Sequence, residues 1–507
     1  MGLRLSSGLP QSLWEAVRNA VRRSEEHLHS YELLRPHKSA FEHHTGPRHW
    51  AAVALRQYSN RRLLTSLVSL TLLASVFGGL SSLGRTVGVP LGSGEKDHLF
   101  YLIVPTTQSD SELCKTLGTA AVLGYPTPYL LDWAAEHDAP SQHSDHLYQM
   151  IKKTREQLAI LSPHDEHIML LLDGPYSWFQ LRPEVLLGRY YDIIEKANDK
   201  LMETFDRKAV ADGDMRQTLV LSGQSISPDA APRKTGDPST QSLNVGSIIG
   251  PAKDIRALFD RAAAKLEHSS NAVDGQTIFR EIFNEQQVRR EAIRQRSWSG
   301  PKRTWSSLAK TLGLGGSVVD SLSSQVTQID EDVTYEFGIT VDHENELGLS
   351  VGHTTDNVEW VQYSSAAPAR SQPPLPADIA NSMPPFWTTS GYGVPSHTKW
   401  EDVNLLVDQN TQSIPAIINL GGEASALQKE GWNKVWMYHH FRELWAAHLS
   451  IPKLPLAGVV DGRGVEHTFW NPDTRLERDG ARTFAGDWVA WADLCDADST
   501  WKALDSS

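Results

Sequence analysis

The chain has 507 residues, 40% hydrophobic and 21% charged, which is enough for a membrane anchor plus one large domain or two smaller ones and excludes a disordered or fibrous protein. Residues 1–62 carry 10 Lys and Arg against 5 Asp and Glu, which leaves 38 against 56, or −18, for the rest of a chain whose net charge is −13. The strong negative charge of residues 63–507 argues against a nucleic-acid partner.

The first predicted element is a membrane anchor at Leu63–Leu83, which reads LLTSLVSLTLLASVFGGLSSL and has 21 residues without a charge. About 20 apolar residues in a helix span the hydrocarbon core of a bilayer, and the stretch is too long and too deep in the chain for a cleaved signal peptide. Four arginines lie between residues 48 and 62, whereas only Arg85 and Lys96 follow closely. The positive-inside rule therefore predicts a cytosolic arm at 1–62 and a luminal remainder that begins with a stem at 84–97. A buried core helix is the alternative, which five Ser and two Thr in the window leave open.

Beyond the stem, segments typical of strands alternate with segments typical of helices. The predicted strands are Leu99–Pro105, Pro128–Trp133 and His167–Asp173, and the predicted helices are Ser111–Tyr125, opened by a Ser cap, and Met150–Leu161. This alternation predicts an α/β domain with a mainly parallel sheet flanked by helices. Ligands of such sheets bind outside the carboxyl ends of the strands, which is where Thr106 and Asp173 fall.

Three polar segments interrupt this pattern. Ser225–Ser242 is rich in Pro, Ser and charged residues, and Arg296–Ser317 is rich in Gly, Ser and basic residues, so both are predicted as insertions. Ser364–Pro376 is predicted to separate an α/β domain at 98–365 from a C-terminal extension at 366–507 that packs on it.

The chain has two cysteines, Cys114 and Cys495, so a disulfide framework and a cysteine-based zinc or iron–sulfur site are excluded. The sequence leaves open whether the two are bridged. The sequence has no Asn-x-Ser/Thr signal for N-glycosylation, so glycosylation signals give no support to a secretory location.

Six motifs follow one another along the chain: FYLIVPTTQSDSELCKTLGTAAVLGYPTPYLLDW, LLLDGPYSWFQLRPEVLLGRYYDI, LNVGSIIGPAKDIRALFDRA, DGQTIFREIF, ITVDHENELGLSVGHTTDNVEWVQY and IPAIINLGGEA. In order and spacing they resemble the glycosyltransferase domain of the procollagen lysyl hydroxylases, and more closely that domain in its fungal relatives, which are single-pass membrane proteins. The resemblance covers residues 98–445, with a weaker match near Asp487–Cys495.

The resemblance implies a GT-A-like fold behind the anchor that binds a nucleotide sugar and transfers a hexose from a UDP-sugar to an unknown acceptor. It also implies Mn²⁺ on the diphosphate, because a hard cation neutralises the charge that develops on this leaving group and prefers carboxylate oxygens. Such a protein would be a type II, single-pass membrane protein of the Golgi or endoplasmic reticulum, with its C-terminal domain in the lumen.

The resemblance also assigns positions in this chain. The metal positions are Asp173 and Asn419, the cofactor-binding positions are Thr106, Asp173, Asn244 and Gly246, and the catalytic positions, near the acceptor or sugar, are Asp274 and Gln276. If Asp173 is not a ligand, Asp342 and Glu344 are the next carboxylates to consider.

Several of these positions depart from the family. The family's metal motif is Asp-x-x-Asp, and here Tyr176, whose ordinary pKa of about 10 makes it a poor ligand at neutral pH, takes the place of the second acid after Asp173. The family's third ligand is a His in His-x-Asn-Gly, where this chain has the neutral amide of Asn419. The acidic run before Gln276 is reduced to Asp274. Two hypotheses follow. One is a working transferase with an altered metal site or none, and the other is a catalytically eroded pseudo-glycosyltransferase that acts as a binding or regulatory protein.

Overall fold

The computed structural model describes residues 96–133, 143–161, 164–224, 243–268, 275–297, 335–351, 357–364, 373–389, 397–420, 426–450, 455–473 and 479–495. The predicted arm at 1–62, the predicted anchor Leu63–Leu83 and nearly all of the predicted stem lie outside these ranges. Within the ranges, no helix combines the length and the apolar character that crossing a membrane requires. Gly92–Ser507 form one compact unit.

The strands are β1 (Lys96–Pro105), β2 (Pro128–Leu131), β3 (Ile168–Leu172), β4 (Ser177–Phe179), β5 (Leu219–Gln224), β6 (Leu243–Pro251), β7 (Ile339–Asp342), β8 (Gly348–Ser350), β9 (Val358–Val361), β10 (Leu405–Asp408), β11 (Ile417–Asn419), β12 (Ala457–Val460), β13 (Glu466–Trp470), β14 (Gly480–Thr483) and β15 (Trp488–Ala490).

The helices are α1 (Ser111–Leu123), α2 (His143–Leu161), α3 (Pro183–Thr204), α4 (Arg207–Asp212), α5 (Ala252–His268), α6 (Gly275–Ser297), α7 (Ala377–Ala380), α8 (Ala426–Glu430), α9 (Phe441–Ser450) and α10 (Trp491–Leu494). Short 3-10 turns lie at Trp387–Thr389, Trp400–Asp402, Trp432–Lys434 and Tyr438–His440.

The ends of α1 follow from local chemistry. The Asp110 carboxylate accepts a 2.7 Å hydrogen bond from the backbone N–H of Leu113, which would otherwise have no partner in the first turn. The predicted Ser cap is therefore wrong, because Ser111 is the first helical residue and Asp110 caps it. The helix ends at Leu123, since Gly124 adopts the left-handed conformation with φ 85° and its N–H turns back to the last carbonyls.

The other predicted elements are observed with shifted ends. β1, β2 and β3 occupy the three predicted strands, and α2 contains the predicted helix but begins earlier, at His143. All three strands run parallel, with β1 between β2 and β3.

One sheet contains every described strand except β9 and β10, which pair with each other. Its order is β15, β14, β2, β1, β3, β6, β5, β8, β11 and β4, while β13 also pairs with β1, β12 with β13 and β7 with β5. The antiparallel pairs are β3–β6, β5–β6, β4–β11, β12–β13 and β14–β15, and the other neighbours are parallel. The prediction of an α/β domain with a mainly parallel sheet flanked by helices is confirmed.

Both faces of the sheet are buried. In β1, Phe100, Leu102 and Val104 belong to one hydrophobic cluster, with residues of α1, α3 and α9. Tyr101 and Ile103 belong to a second cluster, with residues of α2, α5 and α6. A strand covered on both faces needs apolar side chains at successive positions, which explains why this part of the sequence reads as a continuous apolar run.

The segment predicted as a C-terminal extension, 366–507, supplies strands to the same sheet. β11 lies between β8 and β4, β13 pairs with β1, and β14 pairs with β2. At the β1–β13 pair, the Nε2 atom of His98 lies 3.0 Å from Nδ1 of His467, whose Nε2 lies 3.2 Å from the Asp461 carboxylate. Strands from both sides of residue 365 therefore belong to one sheet.

A disulfide joins Cys114 in α1 to Cys495 directly after α10, with the Cα atoms 5.7 Å apart. Both cysteines are buried, and the bridge spans 381 residues of sequence. A cross-link over so long a loop removes conformational freedom chiefly from the unfolded chain. The bridge thus fastens the end of the described chain to the first helix of the domain.

We predict that replacing the bridge by Cys114→Ala with Cys495→Ala lowers the free energy of unfolding by about 2–4 kcal/mol, because the unfolded chain regains its freedom. The measurement is urea unfolding of the purified protein with and without a thiol reductant. The reductant should lower the midpoint of the wild type and leave that of the double variant unchanged. Equal midpoints for the wild type under both conditions would contradict the bridge.

Candidate functional site

The carboxyl ends of β1, β3, β8 and β11 lie at one edge of the sheet. β1 and β3 are parallel. β5 runs in the same direction as β3, because both strands are antiparallel to β6, which lies between them. β8 is parallel to β5, and β11 is parallel to β8. Thr106 and Asp173 directly follow β1 and β3. Ser350 and Asn419 are the last residues of β8 and β11. We call this place the carboxyl edge, and β6 enters the sheet there with Gly246 beside Asp173.

Hydrogen bonds bring three of the predicted site residues together. The Nδ2 atom of Asn419 donates to Oδ1 of Asp173 at 2.9 Å and to the carbonyl oxygen of Gly246 at 3.2 Å. The backbone N–H of Asp173 donates to the same carbonyl at 3.2 Å. Because both partners of the amide are acceptors, its nitrogen rather than its oxygen must face them. The amide of Asn419 thereby joins β11 to β3 and β6, which are not its neighbours in the sheet.

Gly246 is required by the close approach of these groups. A Cβ atom at this position would lie 2.5 Å from Nδ2 of Asn419 and 2.9 Å from Oγ of Ser350. A Cβ atom does not approach a nitrogen or oxygen atom that closely in a folded protein. Any side chain at position 246 would therefore displace the Asn419 amide from Asp173. The glycine therefore serves tight packing at the carboxyl edge and not an unusual backbone angle.

Two buried serines flank Asn419. In the strand register it lies opposite Ser350 of β8 on one side and Ser177 of β4 on the other. Ser177 is 0% and Ser350 6% exposed, and neither hydroxyl oxygen has a hydrogen-bond partner among the described residues. A buried hydroxyl without a partner costs about 1–3 kcal/mol, so these two are unsatisfied polar groups beside Asn419. Sequence reasoning missed both, because only the pairing of three distant strands marks them.

The charge of Asp173 is sensitive to its surroundings. Burial raises the pKa of its carboxyl to about 7, against the opposing effect of the hydrogen bond from Asn419. Near neutral pH the side chain is thus divided between its neutral and ionised forms. A carboxyl in this condition can accept or release a proton, or accept a cation, at little cost.

The residues of the carboxyl edge do not fit the Mn²⁺ site that the resemblance implies. Asn419 presents its amide nitrogen to Asp173, whereas a cation shared by the two would need the amide oxygen. Tyr176 follows at the place of the second acid, and its carbonyl accepts a 2.8 Å hydrogen bond from the N–H of Leu420. In the parts of the chain that the structure describes, no three His, Cys, Asp or Glu side chains are grouped as metal ligands. Manganese favours several oxygen ligands, and Asp173 supplies the only carboxylate among the residues joined here.

The structure does not join the remaining predicted site residues to Asp173 and Asn419 by the hydrogen bonds described above. Thr106 is buried, and its hydroxyl donates to the carbonyl oxygen of Gln108 at 2.9 Å. Asn244 is the second residue of β6, two residues before Gly246. Gln276 is partly buried in the first turn of α6, and Asp274 lies outside the described residues.

The two reserve carboxylates differ in kind. Asp342 is buried, and its oxygens accept hydrogen bonds from the backbone N–H groups of Glu346, Leu347 and Gly348 at 3.0, 2.7 and 3.2 Å. It therefore shapes the turn between β7 and β8. Glu344 is exposed in that turn.

Comparison with known proteins adds no relative. No model of a known protein family matches the chain, and no curated protein matches it at a significant level.

We predict that Asp173→Asn stabilises the protein in a pH-dependent way. A carboxyl whose pKa rises from 3.8 to about 7 on folding makes the native state take up protons between these values, so its contribution to stability is lost as pH increases through that window. The variant, which keeps an acceptor for Asn419, should equal the wild type near pH 4. Above pH 7 it should exceed the wild type by on the order of 1–3 kcal/mol, after allowance for partial exposure. Urea unfolding across this pH range gives the measurement.

Asp342→Asn is the matched control. Burial raises the pKa of Asp342 to about 6, yet both of its oxygens accept backbone N–H groups. An amide has one acceptor oxygen, so the variant leaves at least one buried N–H without a partner and should be destabilised at neutral pH. A destabilised Asp173→Asn variant above pH 7 would contradict the burial of an uncompensated charge at the carboxyl edge.

Proposed function

We propose that the domain is a glycosyltransferase-like, nucleotide-sugar-binding domain, whose reaction is the transfer of a hexose from a UDP-sugar to an acceptor. The observation that carries the proposal is the meeting of Asp173, Gly246 and Asn419 at the carboxyl edge. These residues lie far apart in the sequence, and the resemblance assigns all three to one binding site. The carboxyl edge of an α/β sheet is also where ligands of such folds bind.

The polar groups at this edge suit a hydroxyl-rich ligand. Beside Asn419, Ser177 and Ser350 carry buried hydroxyls that have no partner among the described residues. The Asp173 carboxyl has a pKa of about 7 and can hydrogen-bond to sugar hydroxyls as acceptor or donor. In the transfer itself, the acceptor oxygen bonds to the anomeric carbon, the bond from that carbon to UDP breaks, and the acceptor proton passes to a carboxylate or to solvent.

A pseudo-glycosyltransferase that binds the nucleotide or a partner without catalysis is the second candidate. It is favoured by the amide nitrogen of Asn419, which faces Asp173 where a manganese ligand set would need an oxygen. A pseudo-glycosyltransferase that keeps the nucleotide would share this ligand with the transferase and differ from it in turnover.

The proposed location is the membrane of the Golgi or endoplasmic reticulum, with the domain in the lumen as a type II, single-pass protein. The bridge between Cys114 and Cys495 supports it, because structural disulfides form and persist in the oxidising secretory pathway.

We predict that UDP binds the wild-type protein with little enhancement by Mn²⁺, because Tyr176 and Asn419 stand where the family presents Asp and His. The variant Tyr176→Asp with Asn419→His should raise the affinities for Mn²⁺ and for UDP together. With both substitutions, the side chains at positions 173, 176 and 419 would hold the metal, whose charge would favour the diphosphate, so by linkage each ligand would strengthen the binding of the other. Calorimetric titration with UDP, with and without Mn²⁺, measures both affinities, and UDP-sugar hydrolysis measures turnover.

Adding Asp173→Ala to the repaired variant should abolish the gain, which is the control for the metal position. If the wild type turns over a UDP-sugar with Mn²⁺ and does not need Asp173, the metal site is not at the carboxyl edge. Glu344 is then the next residue to test. Failure of both native and repaired proteins to bind UDP at concentrations on the order of millimolar would overturn the nucleotide-binding proposal.

We predict that protease added to sealed microsomes trims only an N-terminal piece and leaves a protected fragment of more than about 400 residues, because the positive-inside rule puts the domain in the lumen. Immunoblotting with a C-terminal tag measures the fragment, and detergent should abolish the protection. Loss of the tag in intact vesicles would contradict the topology.

A further inference from the structure

A cavity lies away from the carboxyl edge. It has a volume of about 660 Å³, within the range of small-ligand sites, and is enclosed by α1, the first turn of α3, α9 and α10. Its walls include Tyr125, Glu184, Trp387, Thr388, Trp445 and Trp491. They also include residues 126–128, which lead into the amino end of β2. Neither Asp173 nor Asn419 lines it, so the two sites are separate.

The walls of this cavity are rich in tryptophan. Trp445 and Trp491 lie with ring centroids 4.2 Å apart, and Trp387 and Trp470 are 37% and 39% exposed, although such rings are usually well covered. Exposed indoles in a cavity offer flat apolar faces that carry partial negative charge. Such faces attract the polarised C–H groups of a flat ring.

Three residues of the wall carry a polar atom that is buried and lacks a hydrogen-bond partner among the described residues. The atoms are Oε2 of Glu184, Oγ1 of Thr388 and Nε1 of Trp491. They comprise an acceptor, a hydroxyl that both donates and accepts, and a donor. Each costs about 1–3 kcal/mol while it stays without a partner. A purely apolar ligand would leave that cost in place, whereas hydroxyl groups can relieve it.

The guanidinium of Arg182, which lines the cavity, already has hydrogen-bond partners. Arg182 donates to the carbonyl oxygens of Met383, Leu123, Pro384 and Pro385. It therefore offers little to an anionic ligand, and the Glu184 carboxylate repels one. Phosphate or carboxylate groups are thus disfavoured, and a neutral ligand is favoured.

We propose that this cavity binds a neutral, hexose-containing glycan, whose ring packs on a tryptophan face and whose hydroxyls pair with Glu184 and Thr388. A pyranose matches the cavity walls, because it has an apolar face of C–H groups and a rim of hydroxyl groups that donate and accept hydrogen bonds. The proposal does not depend on nucleotide binding at the carboxyl edge, since the cavity shares none of the residues assigned there.

The test uses saturation-transfer NMR of the full-length protein with methyl glucoside, methyl galactoside and the disaccharides lactose and cellobiose. We expect transfer to the ring protons of at least one of them, with a dissociation constant on the order of millimolar for a single hexose. Glu184→Gln keeps the acceptor for the N–H of Met383 and should weaken binding about tenfold. Trp387→Ala should weaken it similarly, and because this ring is partly exposed, its removal spares the core.

Trp360→Ala is the matched control. Trp360 is a partly buried tryptophan of β9 that does not line the cavity, so this variant should bind the glycoside like the wild type. Thermal unfolding of each variant checks that the domain is folded. Excess UDP should not displace the glycoside, which separates this site from the carboxyl edge.

Two outcomes would overturn the proposal. One is an absence of transfer to every sugar, and transfer to 1-octanol in that case would make the cavity a site for apolar ligands. The other is binding that Glu184→Gln and Trp387→Ala leave unchanged.

Discussion

The side-chain amide of Asn419 joins parts of the sheet that the strand order keeps apart. Its two hydrogen bonds hold the segment after β3 against the start of β6, and both contacts need the space that Gly246 leaves free. The same register sets the hydroxyls of Ser177 and Ser350 on either side of the amide. A neutral amide donor thus faces the Asp173 carboxyl at the carboxyl edge.

The first half of the α/β pattern could be predicted because its information is local. Apolar runs mark β1, β2 and β3, and their spacing around α1 and α2 leaves a parallel arrangement as the simplest solution. The cap of α1 was misread by one residue, since Asp110 and Ser111 are both good capping residues and only the geometry separates them.

The non-local part could not be predicted. The contact between Asp173 and Asn419 spans 246 residues, and the bridge between Cys114 and Cys495 spans 381. No periodicity in the sequence reports which strands become neighbours over such distances. For the same reason the resemblance could name Asp173 and Asn419 as partners in one site but could not tell that the amide would turn its nitrogen inward.

The positions of β13 and β14 bear on how the chain is made. Strands formed near the start of the domain, β1 and β2, complete their pairing with strands drawn from its end. During synthesis the early strands must therefore wait, with hydrogen-bonding groups and apolar faces uncovered, until nearly the whole domain has emerged. Unpaired strands of this kind adhere to one another and to other chains, and pairing over such distances is slow. This topology favours completion of the sheet after translation rather than during it, and it makes the early strands the part of the chain that most needs shielding until β13 and β14 arrive.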